Sequence, residues 1–201
     1  PEYPWATREL GFVKLDLLDF EGALPYAVKA IELEPNNQSS HYLMYRVQYE
    51  LADYEQALNA ISTVIEINPE VGSYYWRRAE VLLMLNRPRM ASLDAQRAID
   101  ADPQDIDAHV MLARAQDALG RKSDAIQTLL PLAEDFGDQV YYAYWLSLFL
   151  WQDGQYEKGL AVAAVPEEAK TSGWLSEISS DCLIGLGRFD QVEPFARRAI
   201  K

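Results

Sequence analysis

From Tyr42 to Leu51 the apolar residues fall on a helical spacing; Ala52 and Asp53 interrupt it, and Tyr54 to Ile67 resumes it until Asn68-Pro69 stops the run. Two helices joined by a tight turn are predicted. The sentence is then repeated along the chain. Ala23, Ala57, Ala91, Ala125 and Gly159 follow one another at intervals of 34 residues, and Pro35, Pro69 and Pro103 keep the same interval. Leu119-Gly120, Asp153-Gly154 and Leu186-Gly187 fall in the same turn, where glycine tolerates the dihedrals that close a helical hairpin. A proline after each second helix cannot donate the next backbone hydrogen bond, so it ends one unit before the next begins. A fixed period of this length predicts a stacked array in which each hairpin buries its apolar face against its neighbours.

The recurring small residues have a steric meaning. Two helix axes approach closely at Ala23, Ala57, Ala91, Ala125 and Gly159, and a larger side chain would overpack the contact at a cost of about 1–3 kcal/mol. Gly11, Ala79, Ala113, Ser147 and Ser180 are the matching small residues on the first helices. Pro25 and Pro194 fall about one turn into second helices, where each removes a helical hydrogen bond unless the helix starts late. The Val165-Pro166-Glu167-Glu168 segment shortens the fifth second helix, the following interval drops to 33, and a kink or changed curvature is expected there.

These residues resemble the tetratricopeptide repeat family, whose pattern has a Leu-Gly pair in the first helix, an aromatic near the turn, alanines in the second helix and a closing proline. The first unit matches with Leu10-Gly11, Phe20, Ala23, Ala27, Ala30 and Pro35. Later units supply Tyr54, Ala57 and Pro69; Ala79, Ala91, Ala95, Ala98 and Pro103; Leu112, Ala113 and Ala125; Tyr156 and Gly159; and Phe189, Ala196 and Ala199. Tyr45 stands where the family has a small residue, and Pro88 replaces the turn aromatic. The resemblance implies an all-α, right-handed superhelical α-solenoid of about six helix-turn-helix repeats. These are 4–37, 38–71, 72–105, 106–139, 140–172 and 173–201, forming a single array over 1–201 whose last repeat lacks a capping helix.

In such arrays the first helices line a concave groove. Transferred by register, that groove carries Arg8 and Phe12, then Tyr42, Arg46 and Tyr49, then Trp76 and Glu80, then Arg114, and finally Tyr141, Tyr144 and Trp151. An aromatic surface dotted with arginine suits an extended peptide or an amphipathic helix. Members that clamp the terminal carboxylate of a heat-shock protein use Lys and Asn residues; the corresponding Arg8, Phe12, Leu43, Ser73 and Arg77 do not reproduce that set. The expected function is therefore a non-catalytic scaffold for a protein or peptide segment. The alternative is the recruiting or regulatory portion of a larger enzyme or secretion assembly, one handling polysaccharide for export among the possibilities. Phe195 and Ile200, on the uncapped last repeat, are candidates for self-association.

Composition narrows the partners. With 31 Asp plus Glu against 18 Lys plus Arg the net charge is -13, which repels nucleic acid and anionic membranes. The charge is uneven: the 72–105 segment carries Arg77, Arg78, Arg87, Arg89 and Arg97, whereas 38–71 has Arg46 alone. The most apolar run, Val140 to Trp151, is too short to span a bilayer, so membrane insertion is not expected. The one cysteine, Cys182, cannot form an internal disulfide and reads as a small buried hydrophobe; a cytoplasmic location is favoured, and the periplasm also fits. The chain opens at Pro1 without an initiator methionine, as an excised or processed piece would.

Reactive chemistry is not indicated. His41 and His109 share a register two repeats apart, on the order of 20 Å from each other, too far to hold one metal. No His/Cys cluster, nucleophile elbow or phosphate-binding glycine loop occurs, and no carboxylate pair is singled out by spacing. No catalytic residue, metal site or cofactor is expected.

Overall fold

The computed structural model describes residues 3–136, 139–166 and 172–199, with Phe136 and Arg198 described by their backbone alone. Every described element is helical. The α-helices are α1 (Pro4–Asp16), α2 (Phe20–Leu33), α3 (Gln38–Glu50), α4 (Tyr54–Ile67), α5 (Gly72–Met84), α6 (Pro88–Ala101), α7 (Ile106–Ala118), α8 (Lys122–Leu129), α9 (Ala133–Phe136), α10 (Val140–Gln152), α11 (Tyr156–Ala163), α12 (Gly173–Gly185) and α13 (Glu193–Ala199). The chain forms two compact units, Pro1–Met111 and Leu112–Lys201, the boundary falling within α7.

In the first unit α1 packs on α2, α3 on α4 and α5 on α6, while α2 meets α3 and α4 meets α5. This is the layered hairpin stacking that the period predicts. Ala23, Ala57 and Ala91 are wholly buried, as are Ala27, Ala30, Ala95 and Ala98 along the same second helices. In the second unit α10 pairs with α11 and α12 with α13. Ala125 is wholly buried there and Gly159 is buried too. A Cβ on Gly159 would lie 3.0 Å from Cys182 Sγ and 3.2 Å from the Ser147 carbonyl, so the glycine admits a close approach there.

Each hairpin turn is closed in one way. The residue after the helix cap takes a left-handed conformation at Leu18, Ala52, Asn86, Gly120, Gly154 and Gly187. Its N–H bonds three residues back and the next N–H bonds five back, as in Ala52 to Tyr49 at 3.0 Å and Asp53 to Gln48 at 2.9 Å. Six turns thus carry the same capping motif, three with glycine and three without. The following residue starts the second helix, and Asp19 and Asp53 cap it by accepting from the Gly22 and Gln56 amides.

The prolines behave differently from one another. Pro88 occupies the first turn of α6, where a missing N–H costs nothing. Pro194 is the second residue of α13, which starts late behind the turn Phe189–Gln191. Pro25 lies inside α2 and forgoes the bond its N–H would give the Glu21 carbonyl, yet the helix runs on to Leu33. Pro131 breaks the fourth second helix: α8 ends at Leu129, the turn Leu130–Leu132 intervenes, and α9 resumes. α11 ends at Ala163, short as the sequence suggests, while Glu167 and Glu168 lie outside the described residues.

The α5–α6 layer buries a charged side chain. Arg78 on α5 donates to both carboxylate oxygens of Asp94 on α6, Nε to Oδ2 at 2.6 Å and Nη2 to Oδ1 at 2.9 Å. Asp94 is buried and the Arg78 side chain is 19% exposed. In the register of Arg78 the first, second, fourth and fifth repeats carry Leu10, Met44, Leu112 and Leu146.

Candidate protein interaction face

Residues one turn apart on a helix share a face, which puts Tyr42, Arg46 and Tyr49 on one side of α3 and Trp76 with Glu80 on one side of α5. In the first unit these faces meet through rings. The Tyr42 ring lies 5.9 Å from Tyr74 and 5.6 Å from Tyr45. The chain of contacts continues from Tyr45 to Tyr49 at 6.1 Å and from Tyr49 to Tyr54 at 5.8 Å. Tyr45, which stands where a small residue was expected, is buried as the anchor of this ladder beside Ala57, Ile61 and Val81.

Arg77 covers the ladder. Its guanidinium stacks on the Trp76 ring at 4.3 Å and lies 5.8 Å from the Tyr42 centroid. Burial pushes the Tyr45 phenol well above its ordinary value, the Glu80 charge adds to the rise, and Arg77 opposes it. Burial raises the Asp107 carboxyl as well, Asp105 adds to it, and Arg77 again pulls the other way. The Trp76 indole N–H is buried and meets no acceptor among the described residues.

The second unit repeats the motif with other residues. Arg114 stacks on Trp145 at 4.5 Å; Trp145 in turn lies 5.3 Å from Tyr144 and 6.4 Å from Tyr141. Tyr144 also reaches Trp174, 5.9 Å away and 60% exposed. Burial, helped by Glu177, raises the Tyr144 phenol, and Arg114 opposes the shift. The Trp145 indole N–H, like that of Trp76, is buried without an acceptor among the described residues.

The expected groove residues therefore divide. Tyr42, Tyr49 and Trp76 come together in one unit; Arg114, Tyr141 and Tyr144 do so in the other. Arg46 is half-exposed, and no carboxylate among the described residues pairs with it. Arg8 is engaged by Glu34 at 2.8 Å and its side chain is only 16% exposed. Phe12 packs against the core cluster that includes Leu15, Ala23 and Leu43, and Trp151 against the one that includes Ala143, Leu175 and Cys182. Phe195 is half-buried, whereas Ile200 lies outside the described residues. Sequence reasoning passed over Arg77 as a lid, and over Trp145 and Trp174. The arginine following Trp76 directly was the available signal for the first.

The histidines have a structural task. His41 Nε2 donates to the Pro35 carbonyl at 2.7 Å and His109 Nε2 to the Pro103 carbonyl at 2.9 Å; a carbonyl only accepts, so the proton sits on Nε2. Tyr75, in the same register, donates to the Pro69 carbonyl at 3.0 Å. Each latch ties the end of one repeat to the start of the next. Cys182 is buried, and its thiol is pushed up to about 12 chiefly by burial, with Asp181 adding. Among the described residues no three metal-ligating side chains gather, and no helix is long and apolar enough to cross a membrane.

A family model for the tetratricopeptide repeat matches residues 15–79 and 82–148. The chain belongs to the tetratricopeptide repeat family. Its fold is thus the all-α solenoid of that family, one of protein–protein interaction scaffolds. Among curated relatives, this tetratricopeptide repeat protein is 32% identical over 80 residues to DnaJ homolog subfamily C member 7 of Homo sapiens, covering 40% of this chain and 16% of that protein's length. Among solved structures, PilW, a type IV pilus biogenesis factor, superposes with a TM-score of 0.83 at 14% identity, covering 97% of this chain and 91% of that one. YrrB, a tetratricopeptide repeat protein with an unusual peptide-binding site, gives 0.65 at 18% identity, covering 92% and 90%. At these identities the structural likeness is one of fold.

Proposed function

We propose that this chain is a non-catalytic scaffold that holds a peptide or protein segment bearing carboxylates on the inner faces of its first helices. The observation that carries the reading is the stacked arginine, Arg77 on Trp76 in one unit and Arg114 on Trp145 in the other. Stacking holds each guanidinium plane in place, so less freedom is lost when it meets a carboxylate, and the rings beside it supply apolar area. YrrB's peptide-binding site gives a precedent on the same fold. A second reading, in which such a face recruits clients for a larger enzyme or secretion assembly, has in its favour that the curated relative is several times longer than the segment it shares with this chain.

The test is capture of partners by the purified chain, compared with the Arg46→Ala/Trp76→Ala double variant and with Arg77→Ala. Each first-unit variant is expected to weaken a captured partner by about tenfold or more. Undiminished capture by both variants, together with Arg114→Ala, rejects the inner faces as the binding surface.

A further inference from the structure

On another side of the first unit, α4, α5 and α6 enclose a pocket of about 420 Å³. Leu58 and Leu82 form apolar wall and floor, and Met90 and Leu93 stand on the rim, 55% and 65% exposed. The polar end holds Arg78, Asp94 and Arg97. Two guanidiniums share one carboxylate there. Both Asp94 oxygens already accept from Arg78, and the side chain of Arg97, 61% exposed, adds a single contact to Oδ1 at 3.3 Å. Arg97 thus keeps spare donors at the mouth of an apolar recess. Glu66 on α4 contributes only a weak, longer-range field at Arg78.

We propose that this pocket is a second docking site, taking an apolar side chain and an adjoining carboxylate from a partner peptide. The apolar group seats between Leu58 and Leu93, and the carboxylate completes the unmatched charge at Arg97 by charge-assisted hydrogen bonds. Charge selects this occupant: the chain carries a net charge of -13, yet the recess presents an excess cation. The same register in the first repeat forms a recess lined by Leu10, Pro25, Tyr26 and Lys29, which lacks the arginine–aspartate pair. The chemistry therefore belongs to this repeat and not to the fold in general.

N-Acetyl-leucine is the probe, titrated into the labelled chain and followed by amide chemical shifts, with N-acetyl-leucinamide as the uncharged control. Saturable millimolar shifts confined to α4, α5 and α6 are expected. They should weaken about tenfold with the amide and with Arg97→Ala, which lies on the surface and leaves the Arg78–Asp94 pair intact. Met90→Asp, on the opposite rim, should abolish them, whereas Arg46→Ala/Trp76→Ala should change nothing, which separates this site from the inner faces. Equal response to acid and amide, indifference to Arg97→Ala, shifts located elsewhere or no saturable shifts would each overturn the proposal. So would a dimer in sedimentation that Leu93→Asp dissociates, because a second copy would then occupy the pocket.

Discussion

Asp94→Ala probes the polar layer most directly. The substitution removes a carboxylate that is only 6% exposed and accepts two bonds from Arg78 at 2.6 and 2.9 Å, leaving that guanidinium a 3.5 Å contact to Ser62 Oγ and the Tyr75 ring 5.8 Å away. Breaking one side of a buried pair costs about 3–5 kcal/mol, because the surviving charge stays desolvated. Arg78 borders the pocket and water can reach it, so the low end applies, about 3 kcal/mol. For a chain of this length that corresponds to roughly 6–12 °C in Tm. The double variant Arg78→Met/Asp94→Ala should recover most of the loss and come within about 1 kcal/mol of the parent, because Met44 already occupies the register of Arg78 one repeat earlier. Urea unfolding followed by circular dichroism measures both, and because Arg78→Met alone also strands a buried partner, the double-mutant cycle should show a coupling of at least about 2 kcal/mol. A single variant that costs under about 1 kcal/mol, or a double variant as unstable as the two singles summed, refutes the argument.

Ala52→Gly and Leu18→Gly relieve a left-handed backbone at φ 58° in each case and should each raise stability by about 0.5–1 kcal/mol in the same urea assay; Gly120 shows the position accepts glycine. Burial and Glu177 raise the Asp181 carboxyl, so the native chain keeps its proton to higher pH than the unfolded chain does, and stability falls as pH rises from the ordinary value of 3.8 through the raised one. Asp181→Asn should therefore have a higher Tm than the parent at neutral pH, the gap closing in acid; a gap constant with pH counts against the assignment. Cys182, with its thiol at about 12, should ignore a thiol reagent at mildly alkaline pH and react once the chain is unfolded in guanidinium. Rapid native labelling would contradict its burial.

The parts of this fold that a period can encode were readable in advance. Ala23, Ala57, Ala91, Ala125 and Gly159 recur because the backbone demands the same thing each time, and the structure buries all of them. Features private to one repeat escaped for the same reason. Arg78 and Asp94 sit in registers that other repeats fill differently, so nothing periodic marks them as partners. The break at Pro131 is likewise a local event that stacking absorbs. On the candidate face, the register places Tyr42, Trp76, Arg114 and Tyr144 within the aromatic clusters, but the stacking of Arg77 on Trp76 depends on a rotamer laid over its neighbour, which sequence spacing does not express. Arg8 looked available because its partner, Glu34, is 26 residues away, just past the end of α2.

The three proline-carbonyl latches give the layers unequal grip. His41, Tyr75 and His109 each clasp the preceding closing segment, whereas the same register in α10 holds Ala143, whose methyl donates nothing. In a linear stack, resistance to peeling is set junction by junction. Amide exchange should accordingly run slower across the clasped seams around α3, α5 and α7 than where α10 begins, so the aromatic cluster of α10 and α12 rides on the more yielding part of the chain.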